Sequence, residues 1–511
     1  MKLKFRKNII IKVLICIVLL VALALGGEYL WSSHQIKKHT GSLIKVIDPT
    51  SYFDSYGAIG IKNVNTYIND SSSFTVKNIV LKNGSIVAID NIETLKKSIN
   101  YIDGDGKFLI PGLVDTHTHL LNSKNDLYLY LVNGVTSIAE MFGTETHLEW
   151  KKEAENGSIS PNMYVASSKV GSQKGFSAEM SKNYGGAIHY QSVESAREGI
   201  ANFKKEGYDA VKLGSLLNKE TYTTIIDEAK KQDIPVIGHL SYDIPLETLY
   251  TSGQSQLAHV EEITKSTMEA FGGVGYGDEN DYLEYLKKNA DSIAIKLREN
   301  DIAVSTTIWL MESLPKQKFN LDDFIQSIKL KYANPGVIEG SGLRQGWLPG
   351  NNEYENLKIL EDPERLKKSK IYNDAYIKAI QIMCSALARN NTTVIVGTDT
   401  NVAGVVPGFS FHDEMKSLSN VGFTNRQILN ASTIAPAKFM KMKTGKIEVG
   451  YESDLILLSK NPLEDITNTK SIEMVFFDNY RIDENGIKRI LNKIEEVNND
   501  NRNVEINKYQ K

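Results

Sequence analysis

His117 and His119 stand one residue apart at the end of Phe108-Leu109-Ile110-Pro111-Gly112-Leu113-Val114-Asp115-Thr116-His117-Thr118-His119-Leu120. Alternate side chains of an extended strand share a face, so both imidazoles project together and can grip one metal ion. Neutral imidazole is the commonest protein ligand for zinc and its neighbours, but two rings leave the site open and further nitrogen or oxygen ligands must come from elsewhere. Candidates recur at the ends of other apolar runs. They are Lys212 in Asp209-Ala210-Val211-Lys212-Leu213, His239 in Ile237-Gly238-His239, His259 in Ala258-His259-Val260 and Asp399 in Gly397-Thr398-Asp399-Thr400. Each alone reads as well as a satisfied core histidine or a strand-edge lysine reaching solvent. Together they point to a shared centre. His147 and His189 lie in polar surroundings and read as surface residues.

Ligands so far apart in sequence need a scaffold that gathers strand ends. Strand-like runs are expected at 109–116, 135–141, 163–167, 210–213, 235–239, 256–260, 303–309 and 393–398. Helical patterns with apolar residues at three- and four-residue spacing, such as 192–206, 218–232, 282–299 and 375–390, separate several of them. Eight alternations are the count of a (β/α)8 TIM barrel, an α/β fold whose chemistry sits at the C-terminal ends of its strands. Hairpin-like runs at 73–81 and 85–89 around Lys82-Asn83-Gly84, matched downstream by 445–450, 453–458 and 472–477, predict one small β-sandwich domain made from both sides of the barrel. The expected division is 36–108 and 441–482 for that domain, 109–440 for the barrel, and 483–511 for a polar tail that begins as a helix and ends disordered. Within the barrel, 311–373 is long and rich in Lys, Asn, Gly and Pro, which suits a lid.

Pro111-Gly112-Leu113-Val114-Asp115-Thr116-His117-Thr118-His119 resembles the opening motif of the amidohydrolase superfamily, in its imidazolonepropionase-like and prolidase-like branch. The stretch 134–141 is similar to that family's second strand, 425–437 to its final barrel helix, and Gly450-Tyr451-Glu452-Ser453-Asp454-Leu455 to its closing motif. The resemblance implies two divalent ions, with His117, His119 and Asp399 on the first, His239 and His259 on the second, and Lys212, carboxylated by carbon dioxide, spanning both. Four neutral imidazoles cannot offset two divalent charges, so a bridging anion is required; a lysine in a low-dielectric strand end has a lowered pKa and a reactive neutral amine. A metal-bridging hydroxide is then the implied nucleophile, with Asp399 as the catalytic residue that takes and returns its proton. Zinc suits such ligands, while manganese, cobalt and iron stay open. His412, in Phe411-His412-Asp413-Glu414-Met415, is similar to a recurrent family position. Arg344 and Trp347 in the lid are candidates for a substrate carboxylate and an apolar group. The segment 167–175 lacks the histidine-glycine motif that prolidase-like relatives often carry there.

The first 35 residues place Lys2, Lys4, Arg6 and Lys7 before the apolar run Val13 to Leu25. That pattern is a signal anchor, single-pass with the catalytic domain outside the cytoplasm, or a signal peptide cleaved near Ala22, Ala24 and Gly26 to give a secreted protein. A net charge of -3 gives no electrostatic case for nucleic acid. Two cysteines, Cys16 and Cys384, exclude a disulfide framework or zinc-thiolate cluster. The function expected is hydrolysis of an amide, peptide or cyclic amide bond in a small molecule or short peptide. Lactone or ester hydrolysis at the same site, or an inert surface binding protein, are the alternatives.

Overall fold

The computed structural model describes residues 2–68, 73–90 and 99–510, so 69–72 and 91–98 of the expected first accessory segment lie outside the described residues. Eight central strands follow one another: β1 (Leu113–Thr118), β2 (Val135–Glu140), β3 (Asn162–Val165), β4 (Val211–Leu213), β5 (Val236–Gly238), β6 (Gln256–Ala258), β7 (Ala303–Ser305) and β8 (Val394–Ile395). β1, β2 and β3 pair in parallel, and β4 to β8 pair in parallel in chain order. Between the two groups the Ser167 amide donates to Ala210 O at 2.8 Å, and the Thr116 amide donates to Val396 O at 2.9 Å. Helices occupy the connections. In Val193–Glu206, for example, Ser192 caps the first turn, Gly207 closes the last at φ 96°, and Ala196, Ile200 and Phe203 form the buried stripe.

The expected run 109–116 divides in two. Phe108–Pro111 pairs antiparallel with Leu455–Leu458, and only from Leu113 does the chain belong to the central strands. Gly112 makes the crossing, because a Cβ there would run into Thr136, and its amide donates to Asp454 O at 2.7 Å. Leu455–Leu458 serves two cores through strand alternation: Leu455 and Leu457 pack with Ile61, Leu81 and Phe476, while Ile456 and Leu458 face the central strands. The accessory domain is made from both sides of the central strands, and its strands form one continuous nine-stranded sheet among the described residues. Hydrogen bonds join the two halves through Phe108–Pro111, and the Ile86 amide donates to Tyr451 O at 2.9 Å, so the sheet turns back toward its other half.

One further expectation, that for the tail, changes. The lid interval carries helices Ile308–Phe319, Leu321–Ser327, Pro335–Glu339 and Leu357–Leu360 around a core that includes Phe324, Ile338, Trp347 and Val406. The tail is ordered through its described residues, to Gln510. Helix Glu484–Asp500 is followed by Ile506, which is buried in that same core, and the Asn503 amide donates to Glu339 Oε1 at 2.6 Å. Its polar composition conceals apolar residues whose partners are distant in sequence: Ile490, Ile494 and Val497 share a core with Phe53 and Tyr128, and Ile506 joins that of the insertion. The N-terminal helix, Lys2–Thr40, is long and apolar enough to cross a membrane, and the side chains of its apolar run are exposed.

Candidate metal centre

The ends of β1, β4, β5 and β6 and the residues following β8 bring all six expected ligands to one place. His119 Nε2 lies 2.9 Å and His117 Nε2 3.4 Å from Asp399 Oδ1, and His259 Nε2 lies 3.9 Å from Asp399 Oδ2. The His117 and His259 rings are 4.5 Å apart, the His239 and His259 rings 5.0 Å. Lys212 is fully enclosed, with Nζ 3.4 Å from His117 Nε2. Gly238 makes room for it, at φ 119° with its absent Cβ only 2.9 Å from Lys212 Cδ. Asp115 ties the supporting loops together, accepting from the His117 amide, the Thr398 amide and the Thr398 hydroxyl. His259, Thr307 and Asp399 all hold positive φ, at 72°, 57° and 61°. Strained non-glycine backbone gathers at functional sites, where surrounding structure must over-determine it.

Burial and neighbouring charge set the protonation states. Desolvation pushes His117 and His239 well below the ordinary imidazole range and His259 down to about 4, leaving neutral rings with lone pairs to give. His119 differs: burial opposes its charge, but the Asp399 and Glu140 carboxylates outweigh it and hold the ring up to about 9. Desolvation lowers Lys212 to about 7, Asp399 resisting and Lys169 adding to the fall, so much of the amine is neutral at neutral pH. These residues fit a divalent ion. The ligand atoms of His117, His119 and Asp399 lie within 4.8 Å of one another. His117 Nδ1 is buried with no hydrogen-bond partner, and neutral imidazoles with a carboxylate are the donor set zinc takes.

The model of the amidohydrolase family matches residues 108–486. The chain belongs to the amidohydrolase family. Among curated relatives it is 24% identical over 406 residues to 5'-deoxyadenosine deaminase of Methanosphaera stadtmanae (strain ATCC 43021 / DSM 3091 / JCM 11832 / MCB-3), covering 76% of this chain and 84% of that one. It is 23% identical over 309 residues to adenine deaminase 2 of Shouchella clausii (strain KSM-K16), covering 56% of this chain and about half, 49%, of that one. Among solved structures, bottromycin amidohydrolase superposes with a TM-score of 0.68 at 17% identity, over 91% of this chain and 96% of that one. A structure described as a putative prolidase from Bifidobacterium longum superposes with a TM-score of 0.58 at 18% identity, over 86% and 100%. The fold of this amidohydrolase is thus shared across nearly the whole chain.

Three weaker candidates fall elsewhere. His412 is buried away from the ligands, with Nε2 3.0 Å from Asn133 O and Nδ1 2.9 Å from the Thr469 hydroxyl. Trp347 is buried in the insertion's own core, away from the ligands. Arg344 is exposed and within electrostatic reach of Lys169. His147 is not at the surface: Nδ1 accepts from the Thr144 amide at 3.2 Å and Nε2 bonds to Leu121 O, a pairing set by helix capping rather than by local polarity.

Sequence reasoning missed the residues behind the ligands. Glu262 Oε1 lies 2.8 Å from His239 Nδ1, and the Thr307 hydroxyl 2.8 Å from His259 Nδ1, so both rings turn Nε2 to the centre. Glu140 accepts from the Leu120 and Phe142 amides and lies 3.9 Å from His119 Nδ1. A glutamate closing the apolar run at β2, and another three residues after His259, were the available signals. Lys169 stands where the family's histidine-glycine motif is lacking, its stem across Gly214 just beyond β4.

Proposed function

We propose that this amidohydrolase is an exported, membrane-tethered binuclear metal hydrolase that cleaves the carbon–nitrogen bond of an amide, peptide or cyclic amide. In this reading the two groups of central strands close as one (β/α)8 barrel spanning 109–440, and the accessory domain comprises 36–108 and 441–482. The observation that carries it is the convergence of His117, His119, Lys212, His239, His259 and Asp399 at one set of strand ends.

His117, His119 and Asp399 would hold one ion, His239 and His259 a second, and Lys212 as its carbamate would touch both. Bound divalent ions supply Lewis-acid polarisation of the substrate carbonyl and a lowered pKa for water. Asp399 accepts the proton of the attacking water and delivers it to the leaving nitrogen; neighbouring histidines keep its carboxylate ionised against the pull of burial, so the group is free to accept. Lys169, within electrostatic reach of Asp399, would offer positive charge to an anionic group of the substrate. The N-terminal helix is read as the anchor, with the cleaved signal peptide as its alternative.

The test is a hydrolysis panel of dipeptides, cyclic imides, aminopurines and lactones, run with and without chelator and after zinc is restored. Chelator-sensitive, zinc-restored turnover of a carbon–nitrogen substrate supports the reading. Turnover of lactones alone moves it to ester hydrolysis. No turnover by protein carrying two ions per chain leaves the inert binding protein. Elemental analysis, with the mass of the Lys212 peptide under carbon dioxide, checks the metal count and the carbamate.

A further inference from the structure

The N-terminal helix does not hang from the body on a loose tether. Its apolar run ends at Leu25, and by Trp31, about 9 Å further along the axis, the helix touches the insertion. Trp31 lies against Gly342, where a Cβ would come within 2.6 Å of the indole. Gln35 Oε1 accepts from the Gly342 amide at 2.9 Å, Lys38 pairs with Glu339 at 3.4 Å, and Thr40 O accepts from the Asn122 amide at 3.0 Å. Asn122 is three residues beyond His119. An anchor fixed in this way holds the mouth of the site close to the surface of whatever membrane the helix enters.

The exposed apolar side chains mark that same end. Outside the N-terminal helix and its following loop, the exposed large hydrophobic residues described on the accessory domain are Val76, Val87 and Val449; all the others lie on connections that leave the C-terminal ends of the central strands. Phe176 and Met180 follow β3, Leu216 follows β4, Tyr242 follows β5 and Leu357 lies in the insertion after β7, with Phe176 80% and Tyr242 58% exposed. Tyr276, 55% exposed, precedes helix Glu279–Glu299, whose 21 residues span about 30 Å and end just before β7, which puts its first turn at the mouth. None of the described connections at the opposite end carries such a residue. Scattered exposed hydrophobes need no explanation, but confinement to one rim does. Exposed Lys367, Lys368 and Lys370 border this rim and suit anionic headgroups, and Tyr29 and Trp31 stand where interfacial aromatics belong.

We infer that the rim of the barrel mouth, through Phe176, Leu216, Tyr242, Tyr276 and Leu357, rests on the lipid surface of the bilayer that holds the N-terminal helix, so that substrate reaches the metal centre from the membrane plane. The inference rests on the proposed anchor, and its test separates the two. Full-length protein is placed in nanodiscs containing phosphatidylglycerol, with single spin labels at Phe176→Cys, Tyr242→Cys and Tyr276→Cys in a Cys16→Ser background, and with native Cys16 labelled in a parallel sample. Lys205→Cys and Glu299→Cys, at the far end, serve as aqueous references. The expected result is a several-fold lower collision rate with a water-soluble nickel chelate at the three rim positions than at the references, together with lipid exposure of Cys16. Rim labels as accessible as the references while Cys16 lies in lipid overturn the inference and leave the anchor standing, and point to a soluble partner for the rim. Water exposure at Cys16 as well as at the rim overturns both. All the substituted positions are exposed, so loss of folding does not confuse the readout.

Discussion

Buried histidines occupy two regions of this molecule, and they differ in how their nitrogens are spent. His412, between the central strands and the accessory domain, and His147, beneath the first connection, each have both ring nitrogens engaged by protein groups. At the mouth, His239 and His259 use only Nδ1, on Glu262 and Thr307, while His117 leaves Nδ1 without a partner. Burial does not separate the two regions, since His117 and His259 are as enclosed as His412 and His147 while His239 is half-buried. A fully satisfied ring cements two elements; rings satisfied on one side and converging on the other require a cation or a reacting group to complete them.

The comparison is tested most severely at Lys212. Lys212→Ala is expected to abolish hydrolysis and to leave fewer than two ions per chain by elemental analysis; full metal and full turnover in this variant would remove the lysine from the centre. Asp399→Asn should keep its metal and lower kcat by about 10³-fold, the range of a lost proton-transfer group. A Glu262→Gln variant is expected to weaken metal binding by about 10- to 100-fold in a chelator competition, because His239 loses the carboxylate that fixes its tautomer. His412→Asn should do the reverse, leaving metal affinity unchanged while lowering Tm by a few degrees. An unchanged Tm would show that its two hydrogen bonds are not holding the domains together.

A further effect concerns pH. Asp454, where the accessory domain meets β3, accepts from Asn162 Nδ2 at 2.9 Å, and burial pushes its carboxyl up to about 8. The folded state therefore holds a proton that the unfolded chain releases near pH 4, so stability from this group falls as pH rises from about 4 to 8 and is flat above. Asp454→Asn should flatten the decline of Tm between pH 5 and 8. Parallel curves for the two proteins would mean that Asp454 is ionised throughout.

The six converging residues were legible because each is a single ionisable residue set at the end of an apolar run, and such runs end where strands leave the core. The chain from Gly112 to Thr398 could likewise be read as alternating strands and helices, since periodicity is local. The dividing of 109–116 at Gly112 was not legible, because both halves are equally apolar and only their pairing partners differ. Nor was the order of the tail, whose Ile506 becomes a core residue only against Ile338 and Val406.

The amino-acid order alone determined the repeating strand–helix pattern, the apolar N-terminal run and the identities of six side chains that converge at the strand ends, all properties of neighbours along the chain. Tertiary structure decided which nitrogen of each histidine faces the centre, that Trp347 is spent in a core, and that the N-terminal helix is fixed beside the mouth. Those outcomes depend on contacts between residues far apart in sequence, such as Gly342 with Gln35 at a separation of 307, and no local pattern encodes them.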